Sequence, residues 1–260
     1  MNCKICTRPT SYFDEAVIMG KYKIWYYRCG SCGFIQTEDP YWLEESYNSA
    51  INITDTGILA RNLRLSKITA GIISIFYKSD SEFLDYAGGY GIFTRMMRDL
   101  GYDFYWQDPY CKNLTARGFE IPDNKKVSLV TAFEVFEHLE EPIAEIEKMR
   151  VYSDSILFTT ELYAQDRIPK TSEWWYYGLE HGQHVGIYCI ESLKALAAKL
   201  NMNLYSDNRS IHLLTARKIN PALFYLALKL SSRGLFDKWI KRETKTMTDM
   251  YDLKKTISQA

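Results

Sequence analysis

From Ser81 onward the hydrophobic positions fall into short blocks whose period switches repeatedly between two and about 3.6 residues. "EFLDYA" reads as a strand, "GIFTRMMRDLG" as a helix closed by Gly101, and "YDFYWQD" as a second strand. Past a weak stretch around "GFEIP", the pattern predicts a strand in "VSLVTAFEVF", a helix in "EEPIAEIEKMR" and a strand in "DSILFTTEL". "CIESLKALAAKLN" has the apolar stripe of an amphipathic helix, and "MNLYSDNRS" with "IHLLTARK" reads as a closing pair of strands. Alternation of this kind predicts a doubly wound, largely parallel α/β sheet, with ligands at the carboxyl ends of the strands.

Ahead of this block, Leu59, Leu63, Ile68 and Ile72 recur at helical spacing, with Arg61, Arg64 and Lys67 between them. "TEDPYWLEESYNSA" is punctuated by Pro40 and then reads as a helix, with Glu44 and Glu45 in an early turn where the helix dipole favours acids. "KYKIWYYR" is aromatic and β-branched, hence a strand. The tail starts a helix near Pro221 and is apolar around much of its circumference. Docking on the core or on a second copy is the first reading; peripheral membrane contact is the other, because Lys238, Lys241 and Arg242 flank Trp239. The expected segments are 1–38, 39–80 as a helical linker or lid, 81–218 as the main α/β domain, and 219–260 as a helical extension.

Composition narrows the function. The 260 residues are 47% hydrophobic, and 32 basic residues balance 32 acidic ones. Zero formal charge argues against a nucleic-acid partner, since binding by counterion release needs a basic surplus. No apolar run approaches the ~20 residues of a membrane span, and no leader-like segment opens the chain, so the expected location is cytoplasmic. In a reducing compartment, paired cysteines point to metal before disulfides. Cys3, Cys6, Cys29 and Cys32 form two Cys-x-x-Cys turns flanking a strand, which is zinc-ribbon spacing. Four protein thiolates leave no open position, so the expected Zn²⁺ is structural. Cys111 and Cys189 are expected to be small buried apolar groups.

"LDYAGGYG" is the other motif with chemistry in it. A dinucleotide fingerprint needs a third glycine where Thr94 stands. Asp85, at the end of its strand, would repel a pyrophosphate but suits a cationic ligand. S-adenosylmethionine carries an ammonium and a sulfonium and no phosphate. Asp108, in "WQDPY" about 20 residues beyond the turn, can accept hydrogen bonds from ribose hydroxyls. Ahead of Pro109 it also reads as a turn initiator.

These residues, with "VTAFEVFEHLEEP" and "EHGQHVGIYCIESL", resemble the class I S-adenosylmethionine-dependent methyltransferases, in particular a branch with an N-terminal zinc ribbon and links to sugar and cell-surface glycan modification. The resemblance implies a Rossmann-like methyltransferase sheet. It departs at Ala87, where the family usually has glycine. It implies that Asp85, Ala87, Gly88, Gly89 and Gly91 surround the methionine part of the cofactor and that Asp108 holds its ribose. Ala132, Phe133 and Glu134 would lie across the cofactor, and Tyr47 would lid the site or simply pack.

Methyl transfer to a hydroxyl needs a proton acceptor, and histidine suits neutral pH. The resemblance favours His184, just before the "IES" helix start, as the base; Glu137, His138 and His181 are further candidates. Glu137 could instead cap the next helix and His138 bond backbone, while His212 reads as packing. Glu180, His181 and His184 could hold a second metal. Trp174 and Trp175 in "SEWWYYG" would make a sugar-stacking wall or bury against the tail. The expected substrate is a small molecule or glycan precursor, methylated on oxygen as a sugar, nucleotide-sugar or surface-polysaccharide precursor. The alternatives are a phosphate-type or carboxylate acceptor of capsule biosynthesis, which needs no base, and a non-catalytic zinc-ribbon scaffold.

Overall fold

The computed structural model describes all of the chain except residues 48–51, 79, 233, 235–241 and 260. Backbone contacts divide it into two compact units: Met1–Asn52 with Ala132–Lys218, and Ile53–Thr131 with Ile219–Ala260.

In the first unit, β1 (Thr10–Ile18) and β2 (Tyr22–Cys29) form an antiparallel hairpin in which Thr10 faces Cys29 and Ile18 faces Tyr22. β1 was not expected from the sequence; its acids and exposed positions hide the alternation. β3 (Ile35–Thr37) adds antiparallel to β2 and is joined by the two-residue β8 (Gly186–Ile187), which lies about 150 positions later in the chain. Ile24, Tyr26, Ile35, Trp42, Tyr177 and Ile187 fill the core beneath this small sheet. The helix expected after Pro40 is short, α1 (Leu43–Ser46), and the remainder of that expectation falls on residues 48–51, outside the described residues. α4 (Pro142–Arg150) starts with proline at its first turn, where no intrahelical N–H is needed. β7 (Ser155–Thr159) is buried at every position, and α5 (Ile190–Lys199) leads into β9 (Asn203–Ser206). β10 (Ile211–Thr215) runs antiparallel to both β7 and β9.

The second unit holds β4 (Glu82–Tyr86), α3 (Ile92–Asp99) and β5 (Asp103–Gln107), together with the start of β6 (Leu129–Ala132). β4 is parallel to both neighbours, placing Phe83 beside Phe104 and Leu129. α2 (Ile58–Phe76) packs on α6 (Pro221–Ser232) and α3. α7 (Thr246–Gln259) is tied to α3 by a buried ion pair, Arg98 to Asp249 at 2.6 and 2.8 Å. The strand order is β5-β4-β6-β7-β10-β9. The fold is therefore α/β and Rossmann-like, with a mixed central sheet: parallel among β4, β5 and β6, antiparallel about β10.

Two expectations need correction. The strand read in "VSLVTAFEVF" stops at Ala132: Glu134 takes a left-handed φ of 55°, and Phe136–His138 form a 3₁₀ turn. Apolar runs of this kind do not reveal a left-handed break. Cys111 is partly exposed, whereas Cys189 is buried as expected. Of the tail's interfacial cluster, Lys238, Trp239 and Lys241 lie outside the described residues; Arg242 lies over the Tyr102 ring at 4.4 Å and donates to the Gly101 carbonyl. Among the described residues no helix is long and apolar enough to cross a membrane.

Candidate active site

The glycine turn belongs to the second unit and follows β4 directly. Ala87 (φ 54°), Gly89 (φ 54°) and Gly91 (φ 83°) all adopt left-handed backbone, which only glycine takes without strain. Gly88 does something different: a Cβ there would lie 2.6 Å from Asp85 Oδ2 and 2.8 Å from Trp106 Cδ1. Asp85 thus sits under the turn and not on an open surface. Its carboxylate is 3% exposed and accepts hydrogen bonds from Thr94 (3.0 Å) and Thr131 (3.1 Å). Burial pushes its pKa up to about 7, against those hydroxyls, with the nearby Asp108 charge adding to the rise.

Asp108, just past β5, stitches the turn from the next strand. Oδ2 accepts from Gly89 N–H (2.9 Å), and Oδ1 from Tyr110 and Cys111 N–H (2.8 and 3.0 Å). The turn-initiator reading of Asp108 is thereby met, and the Cys111 thiol, pushed up to about 11 chiefly by burial, is a further weak donor to the same carboxylate, one that a ligand hydroxyl could displace. A side-chain-poor turn, a buried carboxylate wanting a cation and a second carboxylate with acceptor capacity fit the ammonium and ribose of S-adenosylmethionine.

The four cysteines meet in the first unit, with their sulfurs within 4.8 Å of one another. Cys3 and Cys32 Sγ are 3.6 Å apart and Cys6 and Cys29 Sγ 3.4 Å. Four sulfurs about 2.3 Å from a central zinc in a tetrahedron stand about 3.8 Å from each other, so the set needs little adjustment to close on Zn²⁺. The Cys3 thiol is drawn down chiefly by the hydrogen bond with Cys32, whose own thiol is pushed up by the same bond, so the pair shares one proton until a cation displaces it.

The histidines also gather in the first unit. The His184 ring lies 4.9 Å from His138, 4.8 Å from His181 and 4.8 Å from Tyr176, centroid to centroid. Gly178, at φ 57°, makes the bend; a side chain there would strike the His181 imidazole. His184 Nδ1 donates to the Tyr176 carbonyl at 2.5 Å, which leaves Nε2 with the lone pair. His138 Nδ1 meets the Tyr47 hydroxyl at 3.1 Å, and His181 Nδ1 accepts from Gln183 N–H at 3.1 Å. Though their ring edges keep some exposure, burial depresses all three imidazoles, His138 to about 3, so they stay neutral.

Glu137 is fully buried, and neither carboxylate oxygen makes a hydrogen bond of ordinary geometry. It therefore caps no helix. The nearby Thr160 and Tyr176 hydroxyls are 3.0 Å from each other, and Tyr176 also accepts from Glu161 N–H. Burial pushes the Glu137 pKa up to about 8, and the Glu134 charge adds to the rise. Glu134 itself accepts from Thr159 at 2.6 Å, next to Ala132 and Phe133 at the end of β6. His212 is buried packing, bonded to Ser206 and to the Thr160 carbonyl. Trp174 packs on Tyr176 and Tyr177, while Trp175 is 73% exposed. Sequence reasoning missed Tyr176, Thr159 and Thr160; no motif marks them, because their role comes only from chain segments brought together.

The Rossmann-like sheet and its glycine turn define the class, and a family profile places the chain in it. A sequence profile described as "Methyltransferase domain" matches residues 58–207. The chain belongs to this methyltransferase-domain family. No curated protein matches the chain in sequence. Among solved structures it is similar to CalO1, a methyltransferase in calicheamicin biosynthesis in its SAH-bound form (12% identity, 59% of this chain and 54% of that one, TM-score 0.41). It is also similar to the plantazolicin methyltransferase BpumL in complex with a desmethylplantazolicin analogue and SAH (11% identity, 68% and 93%, TM-score 0.47). Human N-acetylserotonin methyltransferase in complex with SAM is a third (13% identity, 68% and 64%, TM-score 0.40). The chain spans 54% of the length of CalO1 and 43% of OxaC, another similar structure.

Proposed function

We propose that the protein is an S-adenosylmethionine-dependent methyltransferase acting on an oxygen of a sugar, nucleotide-sugar or surface-polysaccharide precursor, with His184 as general base. The observation that carries the reading is the left-handed, side-chain-poor turn over Asp85, in a chain of the methyltransferase-domain family.

When bound, S-adenosylmethionine supplies a methyl group made electrophilic by its sulfonium. On this reading Asp85 fixes the turn and supplies negative charge beneath it, Gly88 lets the turn settle onto Asp85 and Trp106, Gly89 leaves open space for the donor, and Asp108 accepts from its ribose. Ala132, Phe133 and Glu134 border the donor. The acceptor hydroxyl gives up its proton to His184 Nε2, whose lone pair is held available by the bond from Nδ1 to the Tyr176 carbonyl. His138 and His181 hold that ring in place, and Tyr47 covers it through its bond to His138. Sugar acceptors are favoured by the exposed face of Trp175, which can stack on a pyranose ring. Zn²⁺ in the four-cysteine cluster staples the hairpin and takes no part in the chemistry.

The test is transfer of labelled methyl from S-adenosylmethionine to a panel of activated sugars and capsule or lipopolysaccharide precursors. His184→Ala should lower turnover by about 10²–10⁴-fold, the usual worth of a general base, with donor affinity intact. Undiminished turnover would remove His184 from the chemistry and favour an already anionic acceptor.

A further inference from the structure

Glu137 is the group that the proton-transfer reading leaves without employment. It carries a carboxylate into full burial, where neither oxygen makes a hydrogen bond of ordinary geometry and the Thr160 and Tyr176 hydroxyls stand near. An ionised carboxylate in that position needs either a proton or a cation, because desolvation of an isolated charge is too costly to leave uncompensated. The surroundings offer no basic side chain in ion-pairing contact with it among the described residues. They do offer two neutral imidazoles.

We propose that Glu137, His138 and His184 form a binding site for a divalent first-row transition-metal ion, distinct from the four-cysteine cluster. One ligand atom from each lies within 4.8 Å of the other two. Metal bonds of about 2.0–2.2 Å to nitrogen and carboxylate oxygen place ligands up to about 4.2 Å apart, so small rotations of the side chains close the set.

The outer contacts have the form that metal-bound histidines require. His184 donates its other ring nitrogen to a backbone carbonyl, that of Tyr176, at 2.5 Å, and His138 is oriented by the Tyr47 hydroxyl through Nδ1. His181 stands outside the set, since its Nδ1 accepts from the Gln183 N–H, which places the proton on Nε2 and leaves no free lone pair, and Glu180 is exposed. The set expected from the sequence, Glu180 with His181 and His184, is thus replaced by one in which a 3₁₀ turn contributes two adjacent ligands.

Two imidazoles and one carboxylate choose the ion. Magnesium and calcium prefer all-oxygen sites, and copper(I) prefers sulfur, whereas zinc, iron(II) and cobalt(II) suit this mixed set. Three protein ligands leave coordination positions for an oxygen ligand, and a metal-bound hydroxyl sheds its proton more easily than a free one. This use of the ion rests on the methyl-transfer reading; its binding does not. With the ion in place, the His184 lone pair is a ligand and the ion's charge activates the acceptor; without it, the same lone pair is the base.

The test uses the whole chain, stripped of metal under reducing conditions and titrated with Co²⁺ alone. Wild type should bind two ions per chain. One should show thiolate-to-metal charge transfer and be released by a mercurial; the other should add only ligand-field bands and survive that treatment. Glu137→Gln and, independently, His184→Ala should each retain the first and lose the second, with circular dichroism unchanged. A wild-type stoichiometry of one, or two ions still bound by the correctly folded variants, would overturn the proposal. Calorimetry with S-adenosylmethionine on the same samples separates the two readings. Donor binding without a second ion refutes the metal site alone, and a second ion without donor binding refutes methyl transfer alone.

Discussion

Gly88→Ala tests the physical basis of the donor turn most directly, because the substitution adds one carbon and nothing else. The backbone at Gly88 lies outside the left-handed region, so any cost is steric. The new Cβ would sit 2.6 Å from Asp85 Oδ2, well inside the 3.4 Å at which ordinary contact begins, and 2.8 Å from Trp106 Cδ1. Neither neighbour is free to retreat. Asp85 is fixed from both sides by Thr94 and Thr131, and the Trp106 indole donates to the Gly89 carbonyl at 2.9 Å. Relief therefore means overpacking, at about 1–3 kcal/mol, or rupture of a hydrogen bond to a buried carboxylate, at about 1.5–3 kcal/mol. We expect a loss of about 2–3 kcal/mol in urea denaturation, on these two magnitudes, together with a clear loss of S-adenosylmethionine affinity in calorimetry. Gly89→Ala is the matched control. It has open space around its Cβ position but a φ of +54°, so its cost, about 1–2 kcal/mol, is conformational. If Gly88→Ala proved as stable as wild type and bound the donor equally well, the reasoning that Asp85 and Trp106 support the turn from beneath would be wrong.

Three further outcomes can be checked with the same equipment. Ala87→Gly should stabilise the chain by about 0.5–1 kcal/mol: it removes about 1–2 kcal/mol of left-handed strain at φ 54° and gives back about 0.4–1 kcal/mol in unfolded-state freedom. Asp249→Ala should cost about 3 kcal/mol or more in unfolding free energy, because it leaves the buried Arg98 guanidinium without its bidentate partner. The pH dependence has a definite sign. Burial pushes the Asp249 carboxyl up, but the bonds and charges of Arg98 and Arg95 outweigh it and hold the pKa below the usual range. The pair's contribution is then fully present above about pH 4, the unfolded value, and lost as pH falls through the lower folded value. Unfolding midpoints measured from pH 7 to pH 3 should show a shallower acid loss in Asp249→Ala than in wild type.

The local periods were enough to read α2 to α5 and β4, β5, β7, β9 and β10, since each is an uninterrupted block with one clear repeat and a turn residue at its end. The paired cysteines and the glycine turn were equally legible, because both depend on residue type at short spacing, and short spacing survives folding unchanged. β1, β8 and the early end of β6 were not legible. A two-residue strand has no period, and a left-handed φ at Glu134 has no signature in an acidic residue.

The chain's own order of residues settled which elements could form and which side chains were available to ligand a metal or head a turn. Tertiary structure alone decided which of those groups share a neighbourhood and in what electrical state. It put Asp85 under the turn instead of upon it, set Glu137 beside His138 and His184 rather than Glu180, and left Glu137 fully buried with no hydrogen bond of ordinary geometry to either oxygen. The reason is physical: burial and the approach of segments dozens of residues apart set the cost of a charge, and neither quantity is a property of any short stretch of chain.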